Sequence, residues 1–515
     1  MIRIFCRVIP TQYLLGGNNA GGPPEPLTSC TDRLTVTGMT DSGSGAEEFD
    51  VIVIGGGPAG ENAASYAIAG SDRTAALIEH ELVGGECSYW ACMPSKALLR
   101  PGEVLGAARN MPGVSAGPLD VDAVLARRDS FTNNHDDSSQ VMWADAAGID
   151  VIRGSARITG DRTVTVGDSR ELRARHAVVV ATGTTATVPD TPGLRAALPW
   201  ISRDATNMRE IPRRVAVIGG GVVACESATW LLDLGAQELT MVVRGRALLP
   251  KNEPFAGERV ARNLEKKGAR ILFGADLRGV ERADARDTGI GRIHGGPVTL
   301  DVAGQDPLVV DEIVVATGRT PATSSLGLDA RLLNSRGYLT TDDHLTTADE
   351  WLYAVGDANG RALLTHMGKY QGRVCGDVIA ARAEGRPLDG SRFRATADHG
   401  QVPQVVFADP EVSAVGITEQ EARDAGVDVE TVEVDIAVAG SSLSRDDFSG
   451  HAKLVVDRAT DTLVGATFAG TDVADLVHAA TVALVGKVPL DTLWHAVPSY
   501  PTVSEVWLRL LEARR

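Results

Sequence analysis

Aromatic residues are scarce, 4% of a 515-residue chain. That argues against a base-stacking platform for single-stranded nucleic acid. Positive charge is also short. Lys and Arg total 50 against 67 Asp and Glu, leaving a net charge of −17. A surface of that sign repels phosphate backbones and anionic membranes, so neither is an expected partner. No run approaches the ~18 apolar residues that a membrane-spanning helix needs. Cysteine is sparse: Cys6, Cys30, Cys87, Cys92, Cys225 and Cys375. Six scattered cysteines do not make the staple framework of a small secreted fold. The expected setting is the cytoplasm, where a disulfide is usually catalytic or sensory.

What is present is an ordinary globular balance, 43% hydrophobic and 23% charged, with 56 glycines. A chain of this length can bury large cores without disulfides. The opening MIRIFCRVIPTQYLLGG faintly mimics a signal peptide, but Arg7, Pro10 and Gln12 break its apolar run. Residues 16–48 are rich in Gly, Pro, Ser and Thr, so residues 1–45 are expected to be a disordered extension. Met39 opens MTDSGSGAEEFDVIVIGGG, which reads as a natural start, and residues 1–38 are expected to be dispensable.

From Asp50 the pattern is a buried strand, a glycine turn and a small-residue helix, DVIVIGGGPAGENAASYAIAG. The same design recurs at 213–235, RRVAVIGGGVVACESATWLLDLG. Two such starts predict two dinucleotide-binding domains. AVVVATGTT (177–185) and EIVVATGRTP (312–321) read as strands returning to the two sheets, and 353–373 as strand, loop and helix. Beyond about residue 395 strands and helices alternate without glycine motifs, which predicts a separate α+β domain. The expected division is 46–195 and 326–395 for the first nucleotide domain, 196–325 for the second, and 396–515 for the last.

In the first loop Gly55 allows the tight turn, Gly57 lets backbone approach a pyrophosphate, and Gly60 lets helix pack on strand. The helix N-terminus adds free N–H groups and partial positive charge. Glu79, closing the next strand, can accept ribose hydroxyls. The second loop is Gly219-x-Gly221-x-x-Ala224, and its next strand ends in Arg244, with Arg246 following. Arginine pairs with a 2′-phosphate that a carboxylate would repel, so NADP(H) is favoured over NAD(H). The bland alternative is two solvated surface charges.

GGECSYWACMPSK (84–96) holds Cys87 and Cys92. Zinc would need two more ligands, and no second CxxC or nearby histidine supplies them, so no metal is expected. Two structural thiols stay possible from spacing alone. A redox role gains from position: the pair falls where a helix should start, and a helix N-terminus lowers a thiol pKa. In an ideal helix residues i and i+5 lie about 140° apart. A disulfide therefore requires a distorted turn, for which Pro94 is the candidate.

With VATGRTP, YAVGDA and VVFADPEVSAVGITE, this stretch makes residues 48–510 resemble the flavin-dependent pyridine nucleotide–disulfide oxidoreductases. Dihydrolipoamide dehydrogenase, glutathione reductase and mercuric reductase are members. The resemblance implies an FAD domain, an NAD(P) domain and a C-terminal domain forming a homodimer with a shared active site. Carried over, Gly55, Gly57, Gly60 and Glu79 hold FAD, with Ala156, Thr182, Gly183, Asp357 and the loop Leu363, Leu364, Thr365 and His366. Lys96 matches the lysine near the flavin and Glu226 its ion-pair partner. Gly318 would contact the nicotinamide nucleotide. Electrons would pass from NAD(P)H through FAD to the Cys87–Cys92 disulfide. Cys92 would face the flavin, and Cys87 would exchange with a disulfide or other acceptor.

One position departs from the family's pattern. Disulfide-reducing members carry His-Pro-Thr-x-Ser-Glu, whereas this chain reads Tyr500-Pro501-Thr502-Val503-Ser504-Glu505. A free tyrosine titrates near pKa ~10, a poor general acid–base group at neutral pH. His495 is the nearby substitute, with a packing role as its alternative. Direct reduction of quinones or other small acceptors by flavin, or transhydrogenase-like chemistry, therefore stands beside disulfide reduction. The terminal WLRLLEARR lacks the cysteine pair that delivers mercuric ion in mercuric reductases. A non-catalytic sensor or structural partner is the remaining alternative.

Overall fold

A computed structural model of the chain describes residues 46–514, so the expectations for residues 1–45 lie outside the described residues. Strands Ile149–Arg153, Ala75–Glu79, Glu47–Ile54 and Arg170–Val180 pair in parallel in that order. Leu352–Ala354 returns from far down the chain to pair in parallel with Arg170–Val180. A hairpin, Ala156–Gly160 and Thr163–Val166, extends the sheet antiparallel. Val51, Ile52 and Val53 are fully buried, because parallel strands are covered on both faces. That is why the run reads as continuously apolar.

The second parallel sheet runs Ala269–Phe273, Glu238–Val243, Arg214–Ile218, Glu312–Val315. A three-stranded antiparallel sheet, Leu277–Arg282, Val298–Val302 and Leu308–Val310, stands beside it. A two-stranded link, Thr184–Ala186 with Arg319–Pro321, ties the chain leaving the first sheet to the chain leaving the second. The C-terminal sheet is antiparallel, in the order Gln404–Val406, Glu411–Gly416, Thr462–Gly470, His451–Asp457, Val429–Asp435. Helices Leu476–Val485 and Val506–Ala513 close its core over Leu454, Phe468 and Trp507. The architecture is the expected one: two Rossmann-like sheets and a C-terminal α+β unit.

Two helices place the first site. The Pro58 helix (Pro58–Ile68) leaves the first glycine loop, and the Thr365 helix (Thr365–Ala383) lies along it. Their contact is nearly backbone to backbone. A Cβ at Gly372 would sit 2.4 Å from the Ala59 carbonyl oxygen, and one at Gly376 would sit 2.5 Å from Tyr66 Cβ. Small residues here let the helices approach closely, and any side chain would force them apart.

Candidate active site

The first loop is shaped by close approach. A Cβ on Gly55 would meet the Ala181 carbonyl oxygen at 2.4 Å, and one on Gly60 would meet the Gly55 oxygen at 2.0 Å. Gly57 differs, because its nearest neighbour would be Gly85 Cα at 3.9 Å. Space is thus left in front of the Pro58 helix, whose N-terminus has no side-chain cap. Free N–H groups facing an open glycine suit a pyrophosphate. Glu79 is buried, and its carboxylate accepts from Gly56 N at 2.7 Å and Glu81 N at 2.8 Å. The buried Thr182 hydroxyl has no partner, a polar group left for something outside the chain. Ala156 begins the hairpin, and Gly183 lies between Thr182 and the linking strand. Asp357 accepts from Thr184 Oγ1 at 2.6 Å. Burial raises the Asp357 pKa, opposed by that hydrogen bond and by Arg319. These features fit a dinucleotide cofactor along the loop.

The second loop repeats the design. Gly221 has open space where a Cβ would stand, and Ala224 is buried in helix Val222–Asp233. Arg244 and Arg246 are both exposed, directly after strand Glu238–Val243. Gly318 lies beyond the returning strand with φ +128°.

The cysteine stretch forms two helices. Cys87 lies in Gly85–Tyr89, and Cys92 opens the Cys92 helix, Cys92–Arg109. The break between them is at Trp90–Ala91, where Ala91 has φ −132° and ψ −90°. Pro94 is not the cause. It sits in the first turn of the second helix, where its missing N–H costs nothing. The break is what brings two residues five apart into contact.

Both thiols are free. Cys92 Sγ receives a hydrogen bond from the Cys87 thiol and lies 3.3 Å from Thr365 Oγ1. Those two contacts, with the charge of Lys96, bring its pKa down to about 6. Donation to Cys92 and burial push the Cys87 thiol well up. Cys225 and Cys375 are buried, and burial holds their thiols high and unreactive. Of the two thiols, Cys92 is the one whose surroundings favour the thiolate.

Lys96 lies one turn beyond Cys92. Its Nζ is 2.7 and 3.0 Å from the two oxygens of Glu226, which is buried in helix Val222–Asp233. Phe407 N also donates to Glu226 at 3.0 Å, and the Lys96 ammonium lies 4.8 Å from the Phe407 ring centroid. Three parts of the chain, each from a different sheet region, thus meet at one ion pair.

Residues 49–380 match the pyridine nucleotide-disulphide oxidoreductase family, and residues 402–511 match that family's dimerisation domain. The chain belongs to the pyridine nucleotide-disulphide oxidoreductases. A dihydrolipoyl dehydrogenase of Chlorobaculum tepidum is 32% identical over 472 residues, covering 89% of this chain and 96% of the relative. A mercuric reductase of Staphylococcus aureus is 29% identical over 465 residues, covering 89% and 81%. Among solved structures, the HOCl-induced flavoprotein disulfide reductase RclA from Escherichia coli is 25% identical with a TM-score of 0.76. That comparison spans 91% of this chain and all of RclA. As a member of this flavoprotein family, the chain is an oxidoreductase that uses FAD.

In this pyridine nucleotide-disulphide oxidoreductase the C-terminal candidates stand apart from the thiols. Tyr500 is 77% exposed, and His495 and Val497 are exposed on the same segment. Glu505 is buried, with Oε2 lacking a partner. Among the described residues, no hydrogen bond or ion pair joins Tyr500, His495 or Glu505 to Cys87 or Cys92. Sequence reasoning missed the braces around the thiols. Glu86, beside Cys87, is held by Arg203 at 2.7 Å and lies 3.4 Å from Arg319. Arg319 in turn bonds Thr184 at 2.6 Å. Single charged residues far apart in sequence carry no pattern that could have flagged them.

Proposed function

We propose that this chain is an FAD-dependent NADPH oxidoreductase that stores two electrons on Cys87 and Cys92 and passes them to a disulfide. The observation that carries this reading is Cys92, a thiolate heading a helix between Cys87, Thr365 and the Lys96–Glu226 pair. FAD, when bound, accepts electrons from a nicotinamide nucleotide and supplies them to the thiol pair. Gly55, Gly57, Gly60, Glu79, Ala156, Thr182, Gly183 and Asp357 would hold FAD, with Lys96 and the Leu363–His366 segment near its ring. Gly219, Gly221, Ala224, Gly318 and the two exposed arginines would hold NADPH. Cys92 keeps its charge in place, because Thr365 donates to it and Lys96 lies close. Cys87 keeps the proton and is the thiol for exchange with substrate.

The matching dimerisation domain supports a homodimer, and Val482, Val485, Val497 and Tyr500 are exposed on it. Tyr500 and Glu505 would then approach the thiols across that dimer. No helix among the described residues is long and apolar enough to cross a membrane, consistent with work in the cytoplasm.

A second reading follows from Tyr500, which lacks histidine's acid–base range. It is direct reduction of quinones at the flavin. Steady-state assays with NADPH and NADH against lipoamide, glutathione disulfide, mercuric ion and a quinone separate the two. Disulfide reduction is expected to vanish in Cys87→Ser. If only quinone turns over, and Cys87→Ser leaves its rate intact, disulfide chemistry is refuted.

A further inference from the structure

The two sulfurs are carried by different helices, so something has to set one against the other. Cys92 opens an 18-residue helix, held by Thr365 at the sulfur and by the Lys96–Glu226 pair one turn on. Cys87 lies in a helix of only five residues, Gly85–Tyr89, entered through Gly84 at φ +110° and Gly85 at φ +60°. A helix that short does not fix its own direction, and this one has no side-chain cap at its N-terminus. Its anchor comes from helix Ser202–Thr206. Arg203 Nε and Nη2 donate to Glu86 Oε2 at 2.9 and 2.7 Å, and Nη1 donates to both oxygens of Glu81 at 3.0 Å. Its guanidinium carbon lies 4.9 Å from the Trp90 ring centroid. One arginine thus grips the chain before, within and at the end of the helix that carries Cys87. Three residues on, Thr206 Oγ1 donates to Trp90 O at 2.8 Å. An anchor positions only if it is fixed itself, and this one is. The fully buried Trp200 joins the second parallel sheet, donating from N to Ile313 O and accepting at O from Val315 N, both at 2.8 Å. The fully buried Arg128 donates to Thr206 O at 2.5 Å and to Met208 O at 3.0 Å. Segment 200–208 is therefore tied at both ends, with Arg203 between the ties.

We propose that Arg203 is a positioning residue for disulfide exchange, which sets the helix of Cys87 against the helix of Cys92 with Glu86 as its handle. This rests on the disulfide-exchange reading above. Among the described residues Arg203 makes no hydrogen bond to either sulfur. It acts through Glu86, the residue before Cys87, and through Trp90 at the break. With the grip released, the short helix pivots at Gly84 and Gly85, and the Cys87 sulfur leaves its place beside Cys92. Two events need that place. The Cys87 thiol donates to the Cys92 sulfur. In exchange, the Cys92 thiolate attacks the Cys87 sulfur of the mixed disulfide. The Cys87–Cys92 bond forms, and the substrate sulfur leaves with the bonding electron pair and takes a proton from water. A displacement of about 1 Å slows that step without touching a reacting atom. Arg203 faces two carboxylates, and the other Glu86 oxygen lies 3.4 Å from Arg319. Its charge is balanced where it sits, so its contribution at the sulfurs is one of position.

The test uses the FAD-loaded full chain with NADPH, oxidised lipoamide as the disulfide and menadione as an acceptor reduced at the flavin. Arg203→Met is expected to lower kcat for lipoamide by about 10-fold and to leave menadione turnover intact. It should also raise the pH midpoint of the thiolate–flavin band, because Cys87 no longer donates to Cys92. Glu86→Ala should move rate and midpoint in the same directions. The double variant should be no worse than Arg203→Met, because the two side chains act as one contact. Arg203→Lys, which keeps a donor for Glu86, should recover part of both. An influence of charge alone would raise the midpoint in Arg203→Met and lower it in Glu86→Ala, and that result overturns the proposal. So do wild-type lipoamide kinetics in both single variants, or losses that multiply in the double variant. A parallel fall of lipoamide and menadione turnover, the mark of general damage, overturns it as well. If Cys87→Ser leaves lipoamide reduction intact, the disulfide-exchange reading is what fails, and the midpoint still measures the hold of Arg203.

Discussion

Replacing Thr365 by valine keeps its shape and removes one hydroxyl. In the native chain the Cys92 pKa is lowered from 9.0 to about 6, first by the Cys87 thiol, then by Thr365 and Lys96, against burial and Glu226. Three units correspond to about 4 kcal/mol in favour of the thiolate. A hydrogen bond to a charged acceptor contributes about 1.5–3 kcal/mol. At 3.3 Å from sulfur, Thr365 belongs at the low end of that range. Thr365→Val should therefore raise the midpoint by about one unit. The assay is anaerobic pH titration of the long-wavelength thiolate–flavin band in the reduced, FAD-loaded enzyme. The midpoint belongs to the coupled thiol pair and is read as such. It should move from about 6 to about 7. A midpoint that stays put or falls would show that Thr365 does not hold the charge of the thiol pair, and would refute the reasoning.

Arg244→Glu with Arg246→Glu should lower kcat/KM for NADPH relative to NADH by about 10–100-fold, since each arginine–phosphate contact is a charge-assisted hydrogen bond. An unchanged ratio of the two coenzymes refutes the NADPH assignment. Glu411→Gln should stabilise the protein at pH 8 and have little effect at pH 5. Burial foremost, with repulsion from Glu103 and Asp472, raises the Glu411 carboxyl to about 7, while Val473 N and Ala474 N donate to it at 3.0 and 3.1 Å. A raised carboxyl favours the fold below its unfolded pKa of about 4.5 and loses that advantage as pH climbs through about 7. The unfolding free energies of variant and wild type should diverge by about 1–3 kcal/mol between pH 5 and pH 8, and parallel curves would contradict the sign.

Both strand–glycine turn–helix units were legible because their signal is local, within one short stretch. The returning strands were legible because a strand buried on both faces is a run of valine and isoleucine. The thiol geometry was only half legible. Spacing required a broken turn, but proline drew the eye to position 94, whereas the break lies at Trp90–Ala91. Nothing local marks that site, because the Trp90 carbonyl is held from outside by Thr206 Oγ1 at 2.8 Å. The ion pair of Lys96 with Glu226 was reached through family resemblance. Neither residue announces a partner 130 positions away.

The near-contact of the Pro58 and Thr365 helices has a mechanical consequence. One begins at the first glycine loop, and the other begins with the hydroxyl 3.3 Å from the Cys92 sulfur. With glycine carrying that seam, neither helix can slide or tilt without the other, so loop and hydroxyl behave as parts of one stiff body. If the first glycine loop grips the cofactor as proposed, precision at the sulfur is borrowed from that grip. Loosening the loop would blur the surroundings of Cys92 at a distance, and amide exchange along the two helices should rise and fall in step.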